Sequence, residues 1–266
     1  MHTKAATATT DPVRAAKTLR SDRWWASPVA VALGFGVFIV YSTWAAFQNA
    51  HFLYTGGGAY YLSPFYSPDL IALLGDFFPA WLPAWIPHSP AFLILWAPAG
   101  FRTTCYYYRK AYYRAYVSNP VACAVRAHDR KYIGEAKFPL ILQNVHRYFF
   151  YLAVIIIFIL AYDAIISFSF DGEFGMGLGS LILTLNVIFL SSYTFGCHSL
   201  RHLIGGKLNC FTCDTGSMTR HKMWKGVTVL NRSHQFWAWM SLLMVGFSDL
   251  YVRLCSMGVW TDIRFF

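Results

Sequence analysis

Apolar residues along this chain do not alternate with polar ones. They gather into runs of roughly twenty, the length of helix that spans a hydrocarbon core. Such runs fall at residues 28–47, 146–168, 176–197 and 233–255. A further run starts near Ser89, but its apolar part, 91–101, covers only half a bilayer and contains Pro98, which predicts a bend. The pattern predicts an all-α fold, an integral membrane helical bundle of about five transmembrane helices. Residues 25–266 then form one membrane domain, preceded by a polar tail, 1–24. Between the first two runs, residues 49–90 include Asp69-Leu-Ile-Ala-Leu-Leu-Gly-Asp and Trp81-Leu-Pro-Ala-Trp-Ile-Pro. The aromatic and proline content of this stretch predicts a segment at the membrane interface.

Composition supports the membrane reading. The 266 residues are 56% hydrophobic, 19% aromatic and only 13% charged, where a soluble domain carries about 25% charge. The distribution of the net charge of +10 matters more than its size. Residues 1–24 carry five Lys/Arg, residues 102–147 nine and residues 198–232 six, whereas 49–90 hold none. Basic loops alternating with acidic ones follow the positive-inside rule and put the N-terminus and the basic loops in the cytoplasm. The same alternation argues against a nucleic-acid partner. The first apolar run is too long for a signal-peptide core, so it is read as a retained span in a multi-pass protein of the cell membrane. Most of the six cysteines then face a reducing compartment. A disulfide framework is disfavoured there, and metal ligation is the better use of a close pair.

Candidate chemistry is densest in Cys197-His198-Ser-Leu-Arg201-His202-Leu-Ile-Gly205-Gly206-Lys-Leu-Asn-Cys210-Phe-Thr-Cys213-Asp214. His198 and His202 are four apart, one turn along a helix face. Cys210 and Cys213 form a C-x-x-C, a spacing that lets two thiolates reach one metal. His234 opens the last span and reaches the same side. A cytoplasmic metal-binding loop, 197–214, is therefore expected, with Cys210, Cys213, His198, His202 and His234 as ligands and Asp214 as a possible oxygen donor. Two Cys with two His is a structural zinc set and also the set of a Rieske-type [2Fe–2S] centre. Haem b stays open, since His146 and His234 each sit near the cytoplasmic end of a span. Arg102, about 16 Å into its run by helical rise, either faces protein or snorkels to the interface. Tyr106 and Arg109 are candidate quinone-binding residues, as donors to a carbonyl, and Trp237 is a further candidate. The alternative use of all three is an aromatic belt with snorkelling cations.

Several of these stretches resemble a known family. Cys197-His-Ser-Leu-Arg-His-Leu-Ile-Gly-Gly, Leu230-Asn-Arg-Ser-His-Gln-Phe-Trp-Ala-Trp and Ser248-Asp-Leu-Tyr-Val-Arg-Leu are similar to the actinobacterial-type membrane anchor of succinate dehydrogenase (complex II), as is Ala97-Pro-Ala-Gly-Phe-Arg-Thr-Thr-Cys-Tyr-Tyr-Tyr-Arg. The resemblance runs from the second span onward. It implies a five-span bundle docking a flavoprotein subunit and an iron–sulfur subunit, electrons passing to membrane quinone, and haem b between the helices. Cys210 and Cys213 depart from a pure haem pattern. A membrane transporter with a structural zinc loop is the rival from another class. It should carry acidic groups in its spans, and only Asp163 and Asp249 qualify.

Overall fold

The computed structural model describes residues 20–75, 83, 88–118, 120–125, 136–138 and 140–266. The tail 1–19, the Trp81-Leu-Pro-Ala-Trp-Ile-Pro stretch apart from Pro83, and part of the basic segment 114–145 lie outside the described residues.

Nine α-helices are present among the described residues, with shorter 3-10 and π turns beside them. They are α1 (Ala26–Gln48), α2 (Leu70–Leu74), α3 (Pro90–Thr103), α4 (Tyr106–Tyr112), α5 (His146–Ile166), α6 (Leu178–Phe195), α7 (His198–Gly205), α8 (Thr215–Arg232) and α9 (His234–Ser256). Two short hairpins, β1 (Leu53–Tyr54) with β2 (Tyr61–Leu62) and β3 (Ser169–Phe170) with β4 (Glu173–Phe174), complete the fold. Asp171-Gly172 joins the second hairpin with both residues at positive φ, the two-residue turn that matches strand twist.

Four helical segments are long and apolar enough to cross a membrane: α1, Leu140–Ile166, α6 and α9. Their outward faces are lipid-like. Leu33, Val37 and Val40 on α1 and Phe158 and Ile165 on α5 are each more than 60% exposed, a pattern that water would not tolerate on one surface. The run beginning at Ser89 differs from a continuous span. Its helix α3 has 14 residues, about 21 Å at helical rise. The Thr103 and Thr104 hydroxyls bond back to the carbonyls of Ala99 and Gly100. Cys105 then turns extended (φ −68°, ψ 133°) before α4 begins.

In the core, α9 packs along α6, α6 along α5, and α5 along α3, while α1 leans on α9 and α4. Gly100 permits the α3–α5 crossing, because a Cβ there would fall 2.2 Å from the Phe149 ring. At the basic end, α7 and α8 fold back on each other as a hairpin. At the acidic end, residues 51–67 cap the bundle and are tied down by carboxylates. Asp249 and Arg253 form a fully buried pair at 2.8 Å. Asp249 also accepts from Ser63 and Tyr41, and Arg253 donates to the carbonyls of Ala50 and Ala45. Asp163 accepts from Ser67, and Asp262 from Tyr61, Tyr251 and the Gly179 amide.

Candidate functional site

The basic end carries two buried cysteines and two buried histidines, one from each of four helix junctions. Cys105 sits at the N-cap of α4 and Cys197 at the N-cap of α7, both in extended backbone (Cys197 φ −71°, ψ 147°). His146 and His234 are the first residues of α5 and α9. His146 Nε2 lies 3.0 Å from Cys197 Sγ, and His234 Nε2 lies 3.6 Å from Cys105 Sγ. The two thiols are within electrostatic range of each other, as are the two imidazoles. None of the four is more than 9% exposed. Both thiols are free.

The surroundings fix orientation. The Thr104 hydroxyl donates its one proton to the Gly100 carbonyl at 2.7 Å. Toward His146 Nδ1, 2.9 Å away, it therefore acts as acceptor. That places the imidazole proton on Nδ1 and leaves the Nε2 lone pair facing Cys197, the tautomer a metal ligand needs. The Ser199 amide points at Cys197 Sγ at 3.4 Å. Phe101 stacks on the His146 ring at 4.7 Å and Tyr193 on the His234 ring at 5.0 Å. His234 Nδ1 and the Tyr193 hydroxyl are buried without a hydrogen-bond partner.

Arg102 turns inward rather than snorkelling. Its guanidinium donates to Tyr108, to Ser241 Oγ at 3.1 Å and to the Ala238 carbonyl, and lies 4.9 Å from the Tyr193 ring centroid. Among the described residues no carboxylate pairs with it. The guanidinium thus lies among the rings that wall the buried cluster.

The ligand set expected from spacing is not assembled. Cys210 and Cys213 are bonded to each other as a disulfide, contrary to the expectation drawn from compartment. Three residues apart in an extended loop, they reach each other more easily than they reach a helix end. His198 and His202 are exposed on α7, although His198 stays within electrostatic range of His234. Asp214 is the N-cap of α8, where the Ser217 hydroxyl and amide hold its carboxyl below the usual range, so it is committed to the helix. Among the described residues no group of three or more His, Cys, Asp or Glu is placed to hold a metal ion. Only His234 of the expected five belongs to the buried cluster, where it meets Cys105, Cys197 and His146. These four stand as two Cys–His pairs. Haem fits less well. An axial pair needs a slot between two facing imidazoles, and here each ring is stacked on an aromatic and aimed at a thiol.

The expected quinone residues are also dispersed. Tyr106 is 52% exposed with the Arg109 guanidinium 4.4 Å over its ring. Trp237 sits in the first turn of α9 against Phe189 and Phe236, its buried Nε1 unpartnered. Asp163 and Asp249 are locked in the acidic-end network, which gives a transport pathway nothing to use.

Comparisons with known proteins agree with this architecture. Residues 26–258 match the family model described as actinobacterial succinate dehydrogenase subunit SdhC. A chain of the Mycobacterium smegmatis Sdh1 complex in the apo form is 44% identical, with a TM-score of 0.82 over 94% of each chain. A search of curated proteins finds no match.

Proposed function

The chain belongs to the actinobacterial succinate dehydrogenase SdhC family, and from that premise we propose that it passes electrons to membrane quinone through a Rieske-type [2Fe–2S] centre held by Cys105, Cys197, His146 and His234. As an SdhC subunit it is the membrane anchor of complex II, a multi-pass protein of the cell membrane and a subunit of an oxidoreductase. Its partners are the flavoprotein and iron–sulfur subunits, and succinate chemistry belongs to those soluble partners.

The observation that carries the centre is the meeting of two free thiols and two imidazoles, all buried, at four helix junctions on one end of the bundle. The donor set is the one in which thiolates hold one iron and imidazoles the other, and imidazole ligation raises the potential toward that of a quinone acceptor. The protein's own contribution is to hold the ligands and keep water out. Thr104 sets the His146 tautomer, the Ser199 amide supports the Cys197 sulfur, and Phe101 and Tyr193 clamp the imidazole faces. Arg102 holds Tyr108 and the Ala238 carbonyl in place beside the cluster.

Iron analysis and EPR on the purified complex test the centre. Wild type should contain the two irons of the anchor in addition to those of the soluble subunits, and Cys105→Ser with Cys197→Ser should lose them together with quinone reduction. Succinate oxidation with a water-soluble acceptor should persist. Unchanged iron in the double variant, or zinc in place of the anchor iron, overturns the assignment.

A further inference from the structure

The Cys210–Cys213 disulfide has no part in the proposed centre, and it makes a poor structural staple. A disulfide stabilises a fold chiefly by closing a loop in the unfolded chain, and the gain grows with the length of that loop. Here the bonded residues are three apart, so very little chain is closed. The helix hairpin around them is held by other contacts. Arg220 of α8 donates to the carbonyls of Ile204 and Gly206 at 2.9 and 2.8 Å, which fixes the end of α7. Asp214 caps α8 through the Ser217 amide and hydroxyl. Arg201 of α7 reaches Thr228 and Asn231, and its guanidinium lies 4.6 Å over the Trp224 ring. Asn231 in turn donates to the Gly196 carbonyl at 2.8 Å, just before Cys197. Opening the Cys210–Cys213 bond disturbs none of these contacts.

What the bond does hold is the tip of the loop. Phe211, between the two cysteines, stacks on His221 at 4.4 Å and is still half exposed. Cys213 is exposed and Cys210 partly so, which leaves the bond open to an incoming sulfur. The hairpin lies at the basic end of the bundle, the end that the positive-inside rule places in the cytoplasm. Disulfides in that compartment are transient, catalytic or redox-sensing, and exposed ones are the labile class.

We infer that Cys210 and Cys213 form a thiol–disulfide exchange site, reduced and reoxidised by a thioredoxin-class protein dithiol. An incoming thiolate attacks the Cys213 sulfur, the more exposed of the two. The bond to Cys210 breaks, and Cys210 leaves as a thiolate that takes up a proton. The second thiol of the incoming protein, as thiolate, then attacks that protein's own sulfur in the mixed disulfide, and Cys213 leaves in the same way. Two electrons and two protons pass to the Cys210/Cys213 pair, and the incoming dithiol ends as a disulfide. The reverse reaction restores the bond. The exchange needs neither the metal centre nor quinone. It gives the anchor a surface that registers the thiol balance of the cytoplasm.

Differential alkylation of the intact complex tests the site. In the air-oxidised complex a maleimide should label Cys123, which is free and exposed, but neither Cys210 nor Cys213. Incubation with reduced thioredoxin, then with a maleimide of different mass, should add label at Cys210 and Cys213 and leave anchor iron unchanged. Excess oxidised thioredoxin should remove that gain. A thioredoxin whose second cysteine is replaced by serine should be captured as a mixed disulfide on wild type and not on Cys213→Ser. The wild-type labelling decides the question without the variant if Cys213→Ser fails to assemble. A bond that resists reduced thioredoxin and opens only after denaturation overturns the inference. So do two cysteines that stay alkylatable at every ratio of oxidised to reduced thioredoxin. Capture at a different cysteine, or loss of anchor iron on reduction, also overturns it.

Discussion

The two ends of the bundle both bury polar side chains, but they treat them in opposite ways. At the acidic end the buried carboxylates and Arg253 are all paired, and Asn49 Oδ1 is the exception among the polar atoms. Asp249 has three donors, Arg253 has a carboxylate and two carbonyls, and Asp262 has two phenols and an amide. At the basic end Tyr193, His234, Trp237 and Gln143 each keep a buried atom without a partner, and among the described residues no carboxylate pairs with Arg102. Buried polar groups left unpaired are expensive, and natural folds retain them where a ligand or cofactor completes them. The contrast separates a structural polar network from a functional one without reference to residue type.

The largest effect that would sharpen this contrast comes from the structural end. Asp249→Ala leaves Arg253 buried without its carboxylate and should destabilise the bundle by about 3–5 kcal/mol. Thermal unfolding of the purified complex reads this, and the iron in the surviving folded fraction should be unchanged. A variant as stable as wild type would break the comparison at its structural half. At the other end, Thr104→Val removes the acceptor that fixes the His146 tautomer and should lower metal retention by about 10–100-fold. Titration of the complex with an iron chelator measures it, and Thr104→Ser should restore retention. Equal loss in the serine variant would mean that Thr104 acts through packing alone. The smallest effect belongs to the loop that spacing favoured. Cys210→Ser with Cys213→Ser should leave anchor iron and quinone reduction as in wild type, measured by the same iron analysis. Loss of iron there would return the site to that loop.

The spans at 146–168, 176–197 and 233–255 were legible because apolar runs of that length have few other uses. The break in the second run was legible only in part. Pro98 suggests a bend, but the helix instead stops at Thr104–Cys105, where hydroxyls compete with backbone donors. The proposed centre differs from the one that spacing predicts, for a reason that lies in topology. Close spacing between His198, His202, Cys210 and Cys213 draws attention, yet neighbours in sequence need not share a pocket. The signal that does carry information is a position repeated across separate runs. Cys105, His146, Cys197 and His234 each mark the same end of one of the four successive runs, and alternating helix direction brings all four to one face. His234 and His146 stood out because they were read in this way, His146 only as a haem candidate, and the same reading was not extended to Cys105 and Cys197. The inward turn of Arg102 was also undecidable from sequence, since its partners Tyr108, Ala238 and Ser241 come mainly from α9.

The placement of one ligand at each of four junctions has a consequence for biogenesis. No single helix, and no hairpin of two consecutive spans, carries more than half of the donor set. A nascent chain released after α6 has Cys105 and His146 but lacks His234, and Cys197 lies just past its end. For the proposed centre, metal loading would therefore be a late step in the life of the subunit, after α9 has been synthesised, inserted and packed along α6. Such a cofactor would act as a checkpoint on completed membrane insertion, since an anchor that carried it would already have assembled all four junctions.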